Sequence, residues 1–237
     1  LKDGWSGFRS TVRHHLRFSF FFEPESDEGH PDSTSSLSTL MGIGYFVDVY
    51  GLVKVIPAGT ELFRVRIDVR DRYLGINDLG APPHQFAKAN RMSPAGISMF
   101  YGALDYDTAV KETMDGDRAA ICSKGTFRTT RDLTVVDFTG LPPVPGYWSN
   151  PGRDHLASIC FMHELVNEFS EPVDRNTSVD LHYTPTQVVA EYLLKARHLR
   201  PSSHGGESPD PIIGIQFASS HTGVANLALN LYHAEDK

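Results

Sequence analysis

Cysteine is scarce in this chain of 237 residues, and Cys122 and Cys160 form no CxxC pair. Neither a disulfide framework nor a thiolate metal site can be built on that spacing, so a reducing compartment, the cytoplasm, fits best. Long apolar runs are missing too. A membrane-spanning helix needs roughly 18–20 apolar residues, and the aromatic cluster Phe18, Phe20, Phe21 and Phe22 is far too short to supply one. There is no surplus of positive charge. Against 29 acidic side chains stand 22 basic ones, a net charge of −7 that repels polyanions and removes nucleic acid from the expected partners. Neither internal repeats nor heptads occur, which excludes solenoids and coiled coils. What is present is ordinary: the chain is 40% hydrophobic, 11% aromatic and 22% charged, the composition of a soluble protein with one main core.

The chain begins Leu1-Lys2-Asp3 without an initiator methionine, as a piece of a longer protein would. Its first 23 residues mix basic and aromatic side chains, then give way to a polar, turn-forming stretch from Glu23 to Ser36 that reads as a linker. A boundary after residue 40 separates this N-terminal segment from a domain over 41–237. From Glu61 the pattern alternates. Leu62, Val65 and Ile67 interleave with Arg64 and Arg66, which predicts a strand with both arginines on one face. A second strand is expected over Ile97–Tyr101 after the turn Ser93-Pro94-Ala95-Gly96, then a helix from Thr108 through Met114 capped by Asp105 or Asp107. Short β-branched runs predict strands at Ala119–Phe127 and Leu133–Phe138. Apolar spacing of three and four predicts helices over 153–169 and Thr186–Arg197. The polar loop Pro201–Pro211 precedes a strand at Ile212–Ile215, and Val224–Tyr232 supplies a last one. Strands and helices mixed without regular βαβ alternation indicate an α+β protein.

Several separated blocks carry the chemistry: Phe63-Arg64-Val65-Arg66; Asn90-Arg91-Met92-Ser93-Pro94-Ala95-Gly96; Phe100-Tyr101-Gly102-Ala103-Leu104-Asp105 with Thr108-Ala109 and Glu112; and Gly214-Ile215-Gln216-Phe217-Ala218-Ser219. In this order they resemble the RES family, named for an arginine, a glutamate and a serine. The interval from Tyr101 to Glu112 (112 − 101 = 11) is the family's spacing. The resemblance spans residues 60–232 and implies an ADP-ribosyltransferase-like fold, a split, mostly antiparallel sheet with flanking helices. Two departures stand out: Phe217 occupies a position where many members have tyrosine, and the loop 201–211 is long.

That resemblance implies toxins and effectors that consume NAD as substrate, with no metal, by cleaving the nicotinamide–ribose bond with water or phosphate as acceptor. Transfer of ADP-ribose to a protein target uses the same site, and a nucleotide-sensing module without turnover is the alternative from another class. Cleavage develops positive charge on the ribose, and Glu112 is placed to stabilise it. A guanidinium matches phosphate oxygens as a planar fork, which suits either strand arginine to the diphosphate; both point the same way, and it is the resemblance that implies Arg64 in preference to Arg66. Arg91 reads either as a second phosphate contact or as a loop charge. Tyr101 offers a flat face and a hydroxyl to nicotinamide or adenine. Ser219 would orient ribose or carboxamide rather than attack, because no Gly-x-Ser-x-Gly elbow surrounds it; its address could slip to Ser220. Family members are commonly restrained by a protein antitoxin, so such a partner is implied.

Other signals carry less. His163-Glu164-Leu165-Val166-Asn167 ends in asparagine where a zinc-protease helix requires a second histidine. Arg9-Ser10-Thr11-Val12-Arg13-His14 has the Arg-x4-His form of the all-helical HEPN ribonucleases, and on that reading it would be the tail of an upstream domain in a HEPN/RES arrangement. Asn176-Thr177-Ser178 fits a glycosylation acceptor with nothing to indicate secretion.

Overall fold

The computed structural model describes residues 2–15, 36–67, 75–114, 122–146, 156–170, 179–196 and 211–231. The linker at 23–35, the acceptor triplet Asn176-Thr177-Ser178 and loop residues 201–210 lie outside the described residues. Seven strands form one sheet: β1 (Val53–Ile56), β2 (Glu61–Ile67), β3 (Phe100–Ala103), β4 (Cys122–Arg128), β5 (Leu133–Asp137), β6 (Gly214–Ala218) and β7 (Ala225–Leu229). Their order is β1-β5-β6-β7-β3-β2-β4, and only β5 and β6 run parallel. The helices are α1 (Lys2–His14), α2 (Ser36–Val49), α3 (Ile76–Leu79), α4 (Tyr106–Thr113), α5 (Leu156–Ser170) and α6 (Val179–Glu191). The class is therefore α+β, as composition and element order indicate. None of the described helices is long and apolar enough to cross a membrane.

Alternation along the strands divides the core between two faces of the sheet. Val136, Ile215 and Ala228 point to one side and pack with the apolar faces of α1, α2, α5 and α6. Leu133, Val135, Leu227 and Leu229 point to the other, beside Leu62 and Phe100. Farther along the first face, Val65 and Ala103 are covered by Ala109 of α4. Trp5, Phe8 and Val12 of α1 lie in the main cluster, and α2 runs through residue 40. The described residues on both sides of the boundary expected there thus share one core.

The elements differ from the sequence pattern in four places, each for a physical reason. Helix α2 is apolar almost all round: Leu40, Ile43, Phe46 and Val47 are buried while Met41, Tyr45 and Val49 are exposed, so no periodic stripe announces it. Strand β1 is a four-residue edge strand with Lys54 inside it, short and charged as edges tend to be, and it was not anticipated. The strand expected over Ile97–Tyr101 starts at Phe100 instead. Gly96, at φ +87°, and the Ile97 amide, bonded to the Pro94 carbonyl, form a turn; the Ser98 hydroxyl donates to Pro82, and pairing with β7 begins at Phe100 opposite Leu229. The helix expected from Thr186 begins at Val179, with Pro185 inside it, and ends in a π-helical turn at Tyr192–Ala196. An interior proline costs a helix bond, but tertiary bonds from Thr186 and Gln187 to the carbonyls of Arg91 and Asn90 hold α6 in place.

Gly214 shows how tightly the central strands are packed. A Cβ there would lie 2.5 Å from Leu229 Cδ2 and 2.9 Å from the Ala228 carbonyl oxygen, and the backbone atom cannot yield. Gly214→Ala is expected to destabilise the protein by about 1–3 kcal/mol, read as a lowered urea midpoint; an unchanged midpoint would show that β6 and β7 can separate to admit a methyl group.

Candidate active site

The sheet opens between β2 and β3. Strand β2 pairs with β4 at every position from Glu61 to Ile67, yet with β3 at one position only, Phe63 opposite Ala103. Beyond that point the strands part, and the gap is a cleft of about 440 Å³, within the usual range for small-molecule sites. Because the gap passes through the sheet, it collects side chains from both faces. Arg64 and Arg66 approach from one; Tyr101, Phe217 and Asn226 approach from the other.

The eleven-residue interval between Tyr101 and Glu112 has a geometric meaning. The chain advances about 3.3 Å per strand residue and returns about 1.5 Å per helical residue. A helix folded back on β3 therefore brings its last turn to the level of the tyrosine. Two ends fix that helix. At the first, the Asp105 carboxylate accepts the Thr108 amide at 2.8 Å, a helix N-cap, while the Thr108 hydroxyl meets that of Thr222 at 2.7 Å. At the last, the Thr113 hydroxyl donates to the Val65 carbonyl at 3.1 Å. Glu112, one residue earlier, is exposed at the cleft, where its Oε1 accepts Asn226 Nδ2 at 3.0 Å.

Arg64 and Arg66 share a face of β2, as alternation predicts, and both donate to one acceptor, the Gly80 carbonyl, at 3.0 and 3.2 Å. The Arg64 guanidinium also lies over the Phe100 ring, 5.1 Å from its centroid. Burial, and then the neighbouring charge of Arg66, push Arg64 down to about 10, which leaves it charged at neutral pH. Burial likewise raises Tyr101, to about 12, so its hydroxyl keeps its proton; that hydroxyl lies 3.3 Å from the Ser93 hydroxyl. Arg91 lines the cleft as well. Its Nη1 donates to the Glu168 carbonyl at 2.8 Å, and its guanidinium sits 5.4 Å from the centroid of the Tyr183 ring.

Five of the six residues singled out from sequence, Arg64, Arg66, Arg91, Tyr101 and Glu112, thus line one cleft. Ser219 does not. It is 4% exposed at the end of β6; its hydroxyl accepts the His221 amide at 3.1 Å and its carbonyl accepts the Gly223 amide at 2.9 Å, closing the turn into β7. The adjacent Ser220 is exposed. Thr113, Tyr183 and Asn226 line the cleft without having been singled out by the motifs. Asn226 had a signal: alternation that places Leu227 and Leu229 on one face puts the polar Asn226 and Asn230 on the other. Tyr183 had none, being brought in by α6 from far along the chain.

The split sheet, its cluster of arginines and the single helix-borne carboxylate define a class of α+β protein with a cleft rich in positive charge. The model of the RES domain matches residues 61–236, and the chain belongs to that family. The family is associated with NAD-related toxin and effector function. No curated protein and no solved structure matches the chain.

The Arg64 shift has a testable sign. If Arg64 holds a diphosphate through its charged guanidinium, affinity is full below the free-state value and falls as pH rises through about 10. Tyr101, near 12, does not titrate in that range. Calorimetric titration with ADP-ribose is expected to give a flat affinity from neutral pH to 9, then a decline that Arg64→Met abolishes.

Proposed function

We propose that the protein cleaves the nicotinamide–ribose bond of NAD. The observation that carries this reading is electrostatic. Three guanidiniums and one carboxylate line the cleft, a local charge of 3 − 1 = +2 within a chain of net charge −7. Such a site gathers a diphosphate while keeping one anion for a developing cation. Arg64, joined by Arg66 and Arg91, would hold the diphosphate. Tyr101, with a protonated hydroxyl and a flat ring, would shape the nicotinamide or adenine pocket. As the glycosidic bond breaks, its electron pair leaves with neutral nicotinamide, and Glu112 stabilises the cationic ribose. Water then adds to the anomeric carbon and loses a proton, giving ADP-ribose; inorganic phosphate adding instead gives its phosphorylated product.

The exposure of Glu112 leaves room at the cleft for an acceptor to reach the ribose. Room there also favours the second reading, transfer of ADP-ribose to a protein side chain. Ser219 enters this scheme only as a support, because its hydroxyl is engaged in the β6–β7 turn. A protein that occludes the cleft would restrain such an activity in the cytoplasm of its host.

Incubation with NAD, with and without phosphate, and chromatography of the products tests the reading. Wild type is expected to release nicotinamide unaided, and Glu112→Gln to lower turnover by at least about a hundredfold, the scale of one lost transition-state stabiliser, with ADP-ribose affinity within about threefold, a ground-state difference of under 1 kcal/mol. A loss smaller than tenfold would remove Glu112 from the chemistry. Bound dinucleotide with no nicotinamide released would make the protein a sensor. Asn226→Ala, which frees the Glu112 carboxylate, is expected to reduce kcat by about tenfold, the value of one hydrogen bond to a charged group.

A further inference from the structure

Helix α1 lies outside residues 61–236, yet it holds one wall of the cleft at two points. At the first, Arg9 Nη1 forms an ion pair with the carboxylate of Glu168, near the end of α5. The same Glu168 presents its main-chain carbonyl to Arg91 at 2.8 Å. At the second, Arg13 Nη2 donates to the carbonyl of His182, the residue before Tyr183, at 3.3 Å. Arg91 and Tyr183 then meet in the cleft as a cation over a ring. The helix itself is anchored by Trp5, Phe8 and Val12, each at most 3% exposed.

We infer that Arg9 is a positioning residue for substrate binding: through Glu168 it fixes the Arg91 guanidinium over Tyr183 in the orientation that meets a diphosphate. The inference rests on the reading of the cleft as an NAD site. An arginine on a loop has many rotamers, and ordering it in advance removes an entropy cost that binding would otherwise carry. The Glu168 carboxylate is 14% exposed, so its ion pair with Arg9 is shielded from solvent on the carboxylate side. Holding Glu168 by its side chain also holds its carbonyl. Arg9, the first residue of the Arg-x4-His pattern, is thus engaged in an ion pair with α5.

Steady-state kinetics on the full chain, following nicotinamide release, separates positioning from plain stabilisation. Arg9→Met is expected to raise KM for NAD about tenfold, the loss of one charge-assisted contact, with kcat within about twofold, as for an interaction made equally in ground and transition states. Arg9→Lys, which keeps the ion pair, should restore most of the affinity. Glu168→Gln, which keeps the carbonyl and the shape, should reproduce the KM rise and serves if Arg9→Met does not fold. In the Arg91→Met background, Arg9→Met should add less than about twofold, because both act through one guanidinium. Effects that multiply, or a fall in kcat at unchanged KM, would overturn the inference.

A readout without turnover keeps the two readings apart. Restricted rotation of the Arg91 guanidinium, observed by nitrogen NMR, should be lost in Glu168→Gln and Arg9→Met. If it is lost while wild type leaves NAD intact, the coupling stands and the substrate reading falls. If Arg91 remains as ordered as in wild type, the coupling is wrong whatever the substrate.

Discussion

One missing set of backbone bonds organises the functional half of the protein. Strands β2 and β3 are joined at Phe63 and Ala103 and nowhere else, although each is fully paired on its other side. Unpaired strand groups are costly when buried and must find water or side-chain partners. A wedge between two otherwise rigid ribbons meets that requirement, because it stays open to solvent and can receive a polar ligand. Most of the side chains flanking it are fixed by strands and helices, with Arg91 the cation that a loop carries, which is how a cleft keeps its geometry.

The charge arrangement follows from the same opening. Arg64 and Arg66 leave one face of β2 beside the point where β3 parts from it, and Glu112 arrives from the opposite face because α4 folds back over Val65. Opposite charges thus reach one cavity from two sides of a sheet without neutralising each other. Asn226, neutral and donating, holds the carboxylate in place and leaves its charge intact. A lysine at 226 would pair with Glu112 and offset the charge that a neutral asparagine preserves.

Much of this was legible in the sequence, to the extent that local patterns determine it. Alternation around Glu61–Ile67 placed both arginines on one face, and Asp105 was identified as one of two candidate caps for the helix that carries Glu112. The α+β class followed from the mixture of short strands and helices, whereas the edge strand β1 was too short for alternation to mark it. Legibility failed where long-range contacts decide. Helix α2 has no polar face to mark it, since neighbouring elements and solvent divide its apolar surface. The helix expected from Thr186 extends back through Pro185 to Val179, held by bonds from Thr186 and Gln187. Tyr183 reaches the cleft only through α6. Ser219 shows the converse: a motif residue whose position at a strand end said nothing of the turn that occupies its hydroxyl.

The carbonyl of Gly80 is a shared acceptor. It accepts from Arg64 and Arg66 together, so these two guanidiniums are aimed at a single oxygen supplied by the protein. A competitor with one anionic oxygen would merely exchange one acceptor for another. A molecule with two or more adjacent anionic oxygens could engage both forks at once, which sets a lower limit on the polar head of any inhibitor designed for this cleft: an acidic group that offers each guanidinium its own oxygen, as a carboxylate, phosphate or diphosphate does.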